Sequence, residues 1–292
     1  MNKKQIVNKL SRIGIGGNIL LSIFKLLAGI LGHSGAMVSD AVHSLSDVFA
    51  TLVAWIGTVL SEKHPDSDHP YGHERFECVA SMILGGLLAV TGAGIGYAGL
   101  QNVLNGAYKE LQIPTLLPLA AAGISIAVKE AMYHYTMYYA KKLNSDVFKA
   151  DAWHHRSDAL SSVGSFVGIA AARFGFPIMD SIASIVICIF ILKVAYDVFK
   201  DALDKMIDKS CDSAFTQSVH DFIADQNGVL RIDLLQTRLF GSKVYMDVEI
   251  SAAGESSLVQ AHEIAEQVHH GIEKNFPQVK HVMVHVNPYL EG

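Results

Sequence analysis

Two eight-residue segments of this sequence share one spacing of acidic residues and histidine. Asp40–Asp47 reads DAVHSLSD and Asp151–Asp158 reads DAWHHRSD, so both fit the template D-A-x-H-x-x-S-D. Both lie in stretches rich in alanine, valine, leucine and phenylalanine, where a charge exposed to lipid is costly. The repeated template therefore predicts that these polar side chains face each other, water or a cation.

The spacing within each segment places the chemically active side chains on one face of a helix, because positions i, i+3 and i+7 align. The histidine and the second aspartate of each segment can approach a metal ion from one side. Together the two pairs offer two imidazoles and two carboxylates, a ligand set that suits tetrahedral Zn²⁺. The predicted ligands are His43, Asp47, His154 and Asp158.

A simpler interpretation stays open for either segment alone, in which the polar groups form hydrogen bonds between helices or lie as charges at helix ends. The occurrence of the template on two segments favours the metal interpretation. Asp40 and Asp151 lie nearer the starts of their segments. For these two residues we keep three roles open: vestibule residues, acids matched to the helix dipole, or partners for Arg156.

The composition of the whole chain indicates the kind of protein that positions these residues. Of its 292 residues, 50% are hydrophobic and 17% are charged, and the mean hydropathy is +0.29. This balance predicts a membrane part joined to a soluble part. The net charge of −5 argues against a nucleic-acid partner. The cysteines form no CxxC pair, which argues against a thiolate zinc site.

Six segments are long and apolar enough to cross a bilayer, since a helical span needs about 20 mostly apolar residues. The second and fifth segments carry the template, and Lys129 and Glu130 interrupt the fourth. Lysine and arginine are concentrated before the first span and after the second and fourth, which predicts that both termini are cytoplasmic. The predicted spans are Ile13–Leu31, Ala36–Leu60, Ala80–Leu100, Ile113–Tyr135, Val147–Ala172 and Ile178–Val198.

From about Lys209 onward the pattern is that of a soluble domain. Its order of elements, α-β-β-α-β, predicts a small α+β domain with helices on one face of a three-stranded sheet. The predicted elements are a helix over Ser213–Gln226, strands over Leu230–Leu239 and Val244–Ala252, a helix over Ser257–Asn275 and a strand over Val279–Val286. We therefore predict a transmembrane transport domain over residues 1–208 and a cytoplasmic domain over residues 209–292.

The loop between the second and third spans, EKHPDSDHPYGHERFE, is crowded with acids and histidines. Its proline and glycine favour a turn in which His69 and His73 converge. A metal site at the surface is one interpretation, and a solvated polar loop is the other.

The paired H-x-x-x-D motifs on spans two and five, the DHPYGHERFE loop and the α-β-β-α-β tail resemble the cation diffusion facilitator family, over essentially the whole chain. Its members are homodimeric membrane antiporters that export divalent transition-metal ions in exchange for protons. The resemblance implies an all-α six-helix membrane bundle followed by a cytoplasmic α+β domain of metallochaperone or ferredoxin-like type. It implies a transporter in the lipid of a bacterial inner membrane, and no enzyme activity.

The resemblance also implies which residues bind metal in the membrane part. It implies a transport site within the membrane that consists of His43, Asp47, His154 and Asp158. It implies a second site in the loop that consists of Asp66, His69 and His73.

In the tail, the resemblance implies dimerisation and further metal binding at the dimer interface, with a regulatory and a structural role for that metal both open. The implied ligands are Asp233, Glu249, His262 and His285, and Asn287 stands at a fifth matching position, where relatives have aspartate. Because acids occupy positions where some relatives have histidine, we expect this domain to bind fewer metal ions or to bind them more weakly. The alternative for His262 and His285 is that they are interface or surface residues without a metal. Arg75 and Asp208 resemble a charge interlock between the membrane part and the tail.

Two histidines with two aspartates resemble the zinc-selective members, whereas manganese-type members usually carry asparagine or aspartate at the histidine positions. Zn²⁺ is therefore the expected cargo and regulatory metal, with Mn²⁺, Fe²⁺, Co²⁺ or Cd²⁺ as alternatives. A non-transporting scaffold partner of a paralogue and a membrane metal hydrolase are the other classes considered. The sequence has no GxxxxGK[ST] loop, which argues against an ATP-driven pump.

Overall fold

The computed structural model describes residues 3–31, 35–106, 116–173 and 178–289. Within these ranges some side chains, including those of Asp40 and His43, lie outside the described part of the structure. The chain divides into two compact units, Met1–Ala202 and Leu203–Gly292.

Six long helices make up most of the described part of the first unit, and each overlaps one predicted span. Among all described helices, Gln5–Ala28 and Arg75–Asn105 are long and apolar enough by themselves to cross a membrane. The helices are α1 (Lys3–Leu31), α2 (Gly35–Ser61), α3 (Arg75–Asn105), α4 (Leu116–Leu143), α5 (Asp146–Arg173) and α6 (Ile178–Met206).

The helices pack so that the two template-bearing segments come side by side. α1 packs along α2, and α4 packs along α5. α3 contacts α2 and α5, while α2 contacts α5 directly. A buried apolar cluster that includes Leu10, Ala54, Leu84 and Phe148 joins these helices. Because close-packed side chains move little, this cluster holds α2 and α5 in a defined register.

Large apolar side chains also point away from this cluster. Leu20, Phe49, Val90 and Ile189 are each exposed over about two thirds or more of their surface. A helix that is apolar on its outer face as well as its inner face is typical of a membrane environment, since lipid is as apolar as a protein core.

The second unit contains a three-stranded sheet with two helices, in the predicted order. β1 pairs with β2 as an antiparallel hairpin, and β2 pairs with β3 in parallel. The chain reverses between β1 and β2 at Gly241, whose φ of 61° is accessible to glycine at little cost. The elements are α7 (Ser213–Ala224), β1 (Arg231–Phe240), β2 (Lys243–Ala253), α8 (Leu258–Asn275) and β3 (Val279–Tyr289).

The two faces of this sheet differ, as the alternation of side chains along a strand requires. One face packs against α7 and α8 through a buried core that includes Val248, Ile250 and Val282. α8 begins at a capping box, in which the Ser257 hydroxyl accepts from the Gln260 backbone N–H. The other face carries the alternate residues of β2 and β3, which are polar near the strand ends.

Candidate metal sites

Three of the predicted transport ligands converge where α2 passes α5. The His154 Nε2 atom lies 3.4 Å from Asp47 Oδ1 and 4.0 Å from Asp158 Oδ2. All three side chains are buried, and their potential ligand atoms lie within 4.8 Å of one another. Since bonds from Zn²⁺ to nitrogen and oxygen are about 2.0–2.2 Å long, ligands around one ion lie roughly 3–4 Å apart. Small side-chain movements would let these three groups share an ion.

The fourth predicted ligand, His43, belongs to α2, but its side chain lies outside the described residues, as does that of Asp40. The i, i+4 spacing on α5 accounts for the closeness of His154 and Asp158, because such residues lie on one face one turn apart. Asp47 reaches them because α2 and α5 are in contact.

A buried lysine that the sequence analysis did not assign to any site lies among these carboxylates. The Lys129 ammonium, on α4, donates to Asp47 Oδ2 at 2.5 Å and to Asp158 Oδ2 at 2.9 Å. It also donates to Asn18 Oδ1, on α1, at 2.9 Å. Lys129 is 0% exposed. The sequence signal for such a residue was available, because a charged residue inside an apolar span is a functional candidate by default.

The other template aspartate with a described side chain, Asp151, has its own partners. The Thr51 hydroxyl donates to Asp151 Oδ1 at 3.3 Å, and His155 Nε2 lies 3.7 Å from Asp151 Oδ2. Arg156, considered as a partner for Asp151, instead pairs with Glu130 Oε1 at 3.3 Å. Asp151 is therefore a buried structural neighbour of the candidate site, with no ion pair to Arg156 among the described contacts.

The loop between α2 and α3 brings its three predicted ligands together. Asp66 Oδ1 lies 3.4 Å from His69 Nδ1, and Asp66 Oδ2 lies 3.4 Å from His73 Nε2. The rings of the two histidines are 4.6 Å apart between centroids. His73 is buried and His69 is exposed, so the group opens to solvent on one side. A φ of 101° at Gly72 allows the turn that folds His73 back towards His69.

Hydrogen bonds keep the loop carboxylate ionised. The Lys63 ammonium donates to Asp66 Oδ2 at 2.7 Å, and the His69 backbone N–H donates to Oδ1 at 2.9 Å. These donors hold the pKa of Asp66 well below its usual range. A carboxylate that stays ionised needs no deprotonation before it binds a cation.

On the open face of the sheet in the second unit, three of the four predicted tail ligands meet around Asn287. Its amide donates to Asp233 Oδ2 at 3.1 Å and to Glu249 Oε2 at 3.4 Å, and its Oδ1 lies 3.0 Å from His285 Nε2. Asp233 lies at a break in the β1–β2 register, between Ile232 and Leu234. Such bulges redirect a side chain, which explains why Asp233 reaches the neighbours of β3.

The Asp233 carboxylate is held ionised by donors on three sides. The Ser251 hydroxyl donates to Oδ2 at 2.6 Å and Arg231 Nε donates to Oδ1 at 2.6 Å. The hydroxyl of Ser251, the amide of Asn287 and the guanidinium of Arg231 lower the pKa of Asp233 to about 2. The fourth predicted tail ligand, His262, is exposed on α8, and no described hydrogen bond or ion pair joins it to this group.

A further set of metal-ligating side chains lies on α8, where His269, His270 and Glu273 approach one another. His269 pairs with Glu273 at 3.4 Å and His270 pairs with Glu266 at 3.0 Å, each at i, i+4. These are ordinary pairs along a helix surface. The predicted interlock residues, Arg75 and Asp208, belong to different units, and their pairing stays a prediction.

Two family models match almost the entire chain. The cation efflux transmembrane domain matches residues 11–207, and the cation efflux protein cytoplasmic domain matches residues 211–289. An uncharacterized transporter of Methanocaldococcus jannaschii is 34% identical over 275 residues, which cover 94% of this chain and 96% of the relative.

Two further relatives have names that refer to metals or their compartments. The manganese efflux system protein MneP of Bacillus subtilis is 30% identical, and the match covers 99% of this chain and 98% of MneP. The magnetosome protein MamB of Magnetospira sp. is 31% identical, and the match covers 93% of this chain and 92% of MamB. The solved MamM-CTD structure is 22% identical, and the match covers 27% of this chain and 100% of the solved chain, with a TM-score of 0.26. This chain belongs to the cation diffusion facilitator family, whose members are membrane-integral transporters of divalent metal cations and not enzymes.

Proposed function

We propose that this chain works as a homodimeric, proton-coupled antiporter that exports Zn²⁺ from the cytoplasm across a bacterial inner membrane, with both termini cytoplasmic. His43, Asp47, His154 and Asp158 hold the cargo. The observation that carries this proposal is the convergence of Asp47, His154 and Asp158 in a buried group at the contact of α2 with α5.

The ligand chemistry supports a transition-metal cargo. Two carboxylates and one imidazole are present in the described group, and His43 would add a second imidazole from α2. Imidazole favours Zn²⁺ over Mg²⁺ and Ca²⁺, which prefer oxygen ligands alone. Burial removes competing water, so a cation that enters must exchange its hydration for these ligands.

Proton exchange follows from the same ligands. A histidine or carboxylate binds metal only in its deprotonated form, so taking up the cation releases any protons held there. On the side where the proton concentration is higher, protonation of His154 and its neighbours would expel the cation. Alternation between the two access states then returns protons inward as metal leaves.

The loop and the tail extend this proposal beyond the membrane. Asp66, His69 and His73 form a second metal group on the cytoplasmic side, and Asp233, Glu249 and His285 form a third on the open face of the sheet. Metal bound there would favour one access state if it binds that state more tightly, which is how a cytoplasmic metal level would regulate transport.

Mn²⁺ is the second candidate for the cargo. Two relatives from Bacillus subtilis, at 30% and 29% identity, are named manganese efflux system proteins. The two carboxylates in the described group also suit a cation that prefers oxygen ligands. The binding of Zn²⁺ should depend on the two imidazoles more than the binding of Mn²⁺ does. A comparison of the fluxes of the two metals therefore distinguishes the two candidates.

The test is metal flux in proteoliposomes that contain a trapped pH reporter, with Zn²⁺, Cd²⁺, Mn²⁺ and Fe²⁺ compared. We expect saturable Zn²⁺ flux with opposite proton movement. Asp158→Ala should reduce this flux at least about a hundredfold, because it removes a proposed ligand, and loss of even an outer-shell partner costs about 10–100-fold in metal affinity. Asp197→Ala, which removes an exposed carboxylate of α6, is the matched control and should transport normally.

The outcomes separate the candidates. Flux of Mn²⁺ but not Zn²⁺ would replace the proposed cargo and keep the site. Flux without proton movement would exclude antiport. No flux of any metal by native protein would favour the alternative of a non-transporting scaffold partner.

A further inference from the structure

The Lys129 ammonium lies where a cargo cation would lie with respect to the carboxylates. It contacts Asp47 Oδ2 and Asp158 Oδ2, one oxygen of each candidate ligand. A third acceptor, Asn18 Oδ1, completes the set. An ammonium group has three protons and no acceptor, so three oxygens satisfy it completely.

Because these charged groups are buried, they must neutralise one another. Lys129 is 0% exposed and Asp47 and Asp158 are almost fully buried, so none of the three charges is compensated by bulk water. Unpaired charges in such surroundings are strongly disfavoured, which means that the carboxylates need a cation and the lysine needs carboxylates. In the absence of cargo, this lysine supplies the cation.

Charge, rather than the number of oxygen atoms, sets the lysine against a metal ion. Lys129 contacts the Oδ2 atom of each carboxylate, so an ion can approach the Oδ1 atoms, but it adds two positive charges beside one that is already present. Two carboxylates balance a divalent cation alone, whereas with the ammonium in contact the group has one excess positive charge. Like charges in a buried site repel strongly.

We infer that Lys129 is a tethered counter-cation that occupies the carboxylates of the transport site when cargo is absent, and that the cargo must displace it to bind. This inference rests on the proposed function and adds to it a residue that sets cargo affinity. Lys129 is a positioning residue, since it acts on the cargo through the two carboxylates.

The displacement also couples the site to the helices around it. With cargo absent, the lysine of α4 links α1, α2 and α5 through one nitrogen atom. With cargo bound, the ion links α2 and α5 directly, and the Lys129 hydrogen bonds from α4 to Asp47 and Asp158 are released. The empty and loaded proteins therefore differ in which helices are tied together, which is the kind of discrete change that alternating access needs.

The test compares native protein with Lys129→Gln, which keeps a hydrogen-bond donor and removes the charge, and with Lys129→Met, which keeps the length of the side chain. Cargo affinity is measured by equilibrium dialysis of radioactive Zn²⁺ and Mn²⁺ with purified, chelator-stripped full-length dimer. Both variants should bind the cargo ion about tenfold or more tightly, because one repelling charge is gone. Maximal flux in proteoliposomes should fall, since release is slower and the empty carboxylates lack a cation.

The control is Lys149→Gln. Lys149 also donates to an aspartate at 2.8 Å, Asp146, but this pair is partly exposed and lies outside the site. Its removal should leave affinity and flux at native values. A native protein that binds none of the metals would remove the proposed function and this inference together.

A readout of stability separates this role from a purely structural one. Without metal, Lys129→Gln should unfold at a lower temperature than native protein, since its carboxylates have lost their cation. Saturating metal should restore the variant to at least the native value, so its metal-induced rise in Tm should exceed that of native protein. A structural lysine would lower Tm equally with and without metal.

Two results would overturn the inference while leaving the proposed function in place. One is a folded, dimeric Lys129→Gln that binds cargo no more tightly than a metal-binding native protein. The other is failure of both Lys129 variants to fold even when cells are grown and membranes are solubilised with the cargo ion present, because a metal that displaces the ammonium should also replace it.

Discussion

The carboxylates of this protein are held by different kinds of donor, and the kind of donor decides how each one responds to its surroundings. Asp47 is buried and contacts a buried ammonium. Asp66 lies at the surface beside the Lys63 ammonium and a backbone N–H. Asp233 is held by a hydroxyl, an amide and a guanidinium. Only the first of these exchanges its partner during the proposed transport cycle.

The Asp233 group gives a prediction for the effect of pH on the sheet of the second unit. Its folded pKa of about 2 lies below the value of about 3.9 expected for an unfolded chain. A lowered folded pKa contributes stability at pH above the unfolded value, and this contribution is lost as pH falls from roughly 4 towards 2. Asp233→Asn should therefore weaken the sheet at pH 5, and the difference from native protein should shrink as pH approaches 2.

Hydrogen exchange of the β1 and β2 amides in full-length protein measures this effect, with variant and native protein compared at each pH. The control is Asp221→Asn, which removes a carboxylate on α7 that is 68% exposed, accepts from Gln217 and lies 3.5 Å from His220 Nδ1. A difference between Asp233→Asn and native protein that is equally large at pH 5 and pH 2.5 would contradict the pKa account.

At the scale of helices and strands, the sequence predicted the order and approximate bounds of the elements, and the differences have local causes. α4 continues to Leu143, beyond the predicted span end at Tyr135, because Lys141 and Lys142 extend the helix past its apolar part and suit the negative end of its dipole. The turn between β1 and β2 is shorter than predicted, since Phe240 pairs with Lys243. Apolar runs mark the interior of an element better than its ends.

The candidate site was predictable to the extent that its residues share a helix. The i, i+4 spacing of His154 and Asp158 is a local signal. The contact of Lys129 with Asp47 joins helices far apart in sequence, and the bulge at Asp233 depends on the register of two strands. Contacts of these two kinds follow from packing, which a single sequence does not show. In the sequence, Lys129 was visible only as an interruption of the fourth span.

The crossing of α2 and α3 gives a prediction at this scale. Gly57 faces Ala80 so closely that a methyl group at position 57 would overlap the Ala80 methyl group. Small residues let membrane helices approach one another, and neither methyl group can rotate out of the way. Gly57→Ala should therefore separate the helices at this point and cost roughly 1–3 kcal/mol of stability.

The measurement is the thermal stability of the detergent-solubilised protein. It is monitored as the fraction of protein that stays monodisperse at each temperature. Gly86→Ala is the matched control, because a methyl group at this position of α3 would have no neighbour within 4 Å. Equal losses in both variants would mean that the α2–α3 approach is not limited by Gly57.

At the scale of the whole molecule, the chain must join a membrane unit to a second unit with its own core. Each unit has its own buried apolar cluster, so each has its own source of stability. Regulation of transport by metal in the tail therefore requires a specific link between the units. The family resemblance assigns that link to Arg75, the first residue of α3, and Asp208, which follows α6.

A charge-reversal series tests this link in the full-length dimer. An isolated exposed ion pair contributes little, so the interlock can matter only if the pairs cluster across the dimer axis. Arg75→Glu would then place like charges together and should weaken the dimer by about tenfold or more in dissociation constant. Asp208→Asn removes the opposing charge, and asparagine tolerates the positive φ of 62° at this position. The double variant should therefore be more dimeric than Arg75→Glu alone.

That ordering distinguishes an interlock from a local defect at the start of α3. A local defect would make the double variant as weak as Arg75→Glu or weaker, because the two substitutions would act independently. The dimer dissociation constant is measured by analytical ultracentrifugation, and metal flux is measured in proteoliposomes. Lys142→Glu, in the last turn of α4, is the control for an added negative charge away from the predicted interlock. If Arg75→Glu dimerises and transports like native protein, the link between the units must be sought elsewhere in the chain.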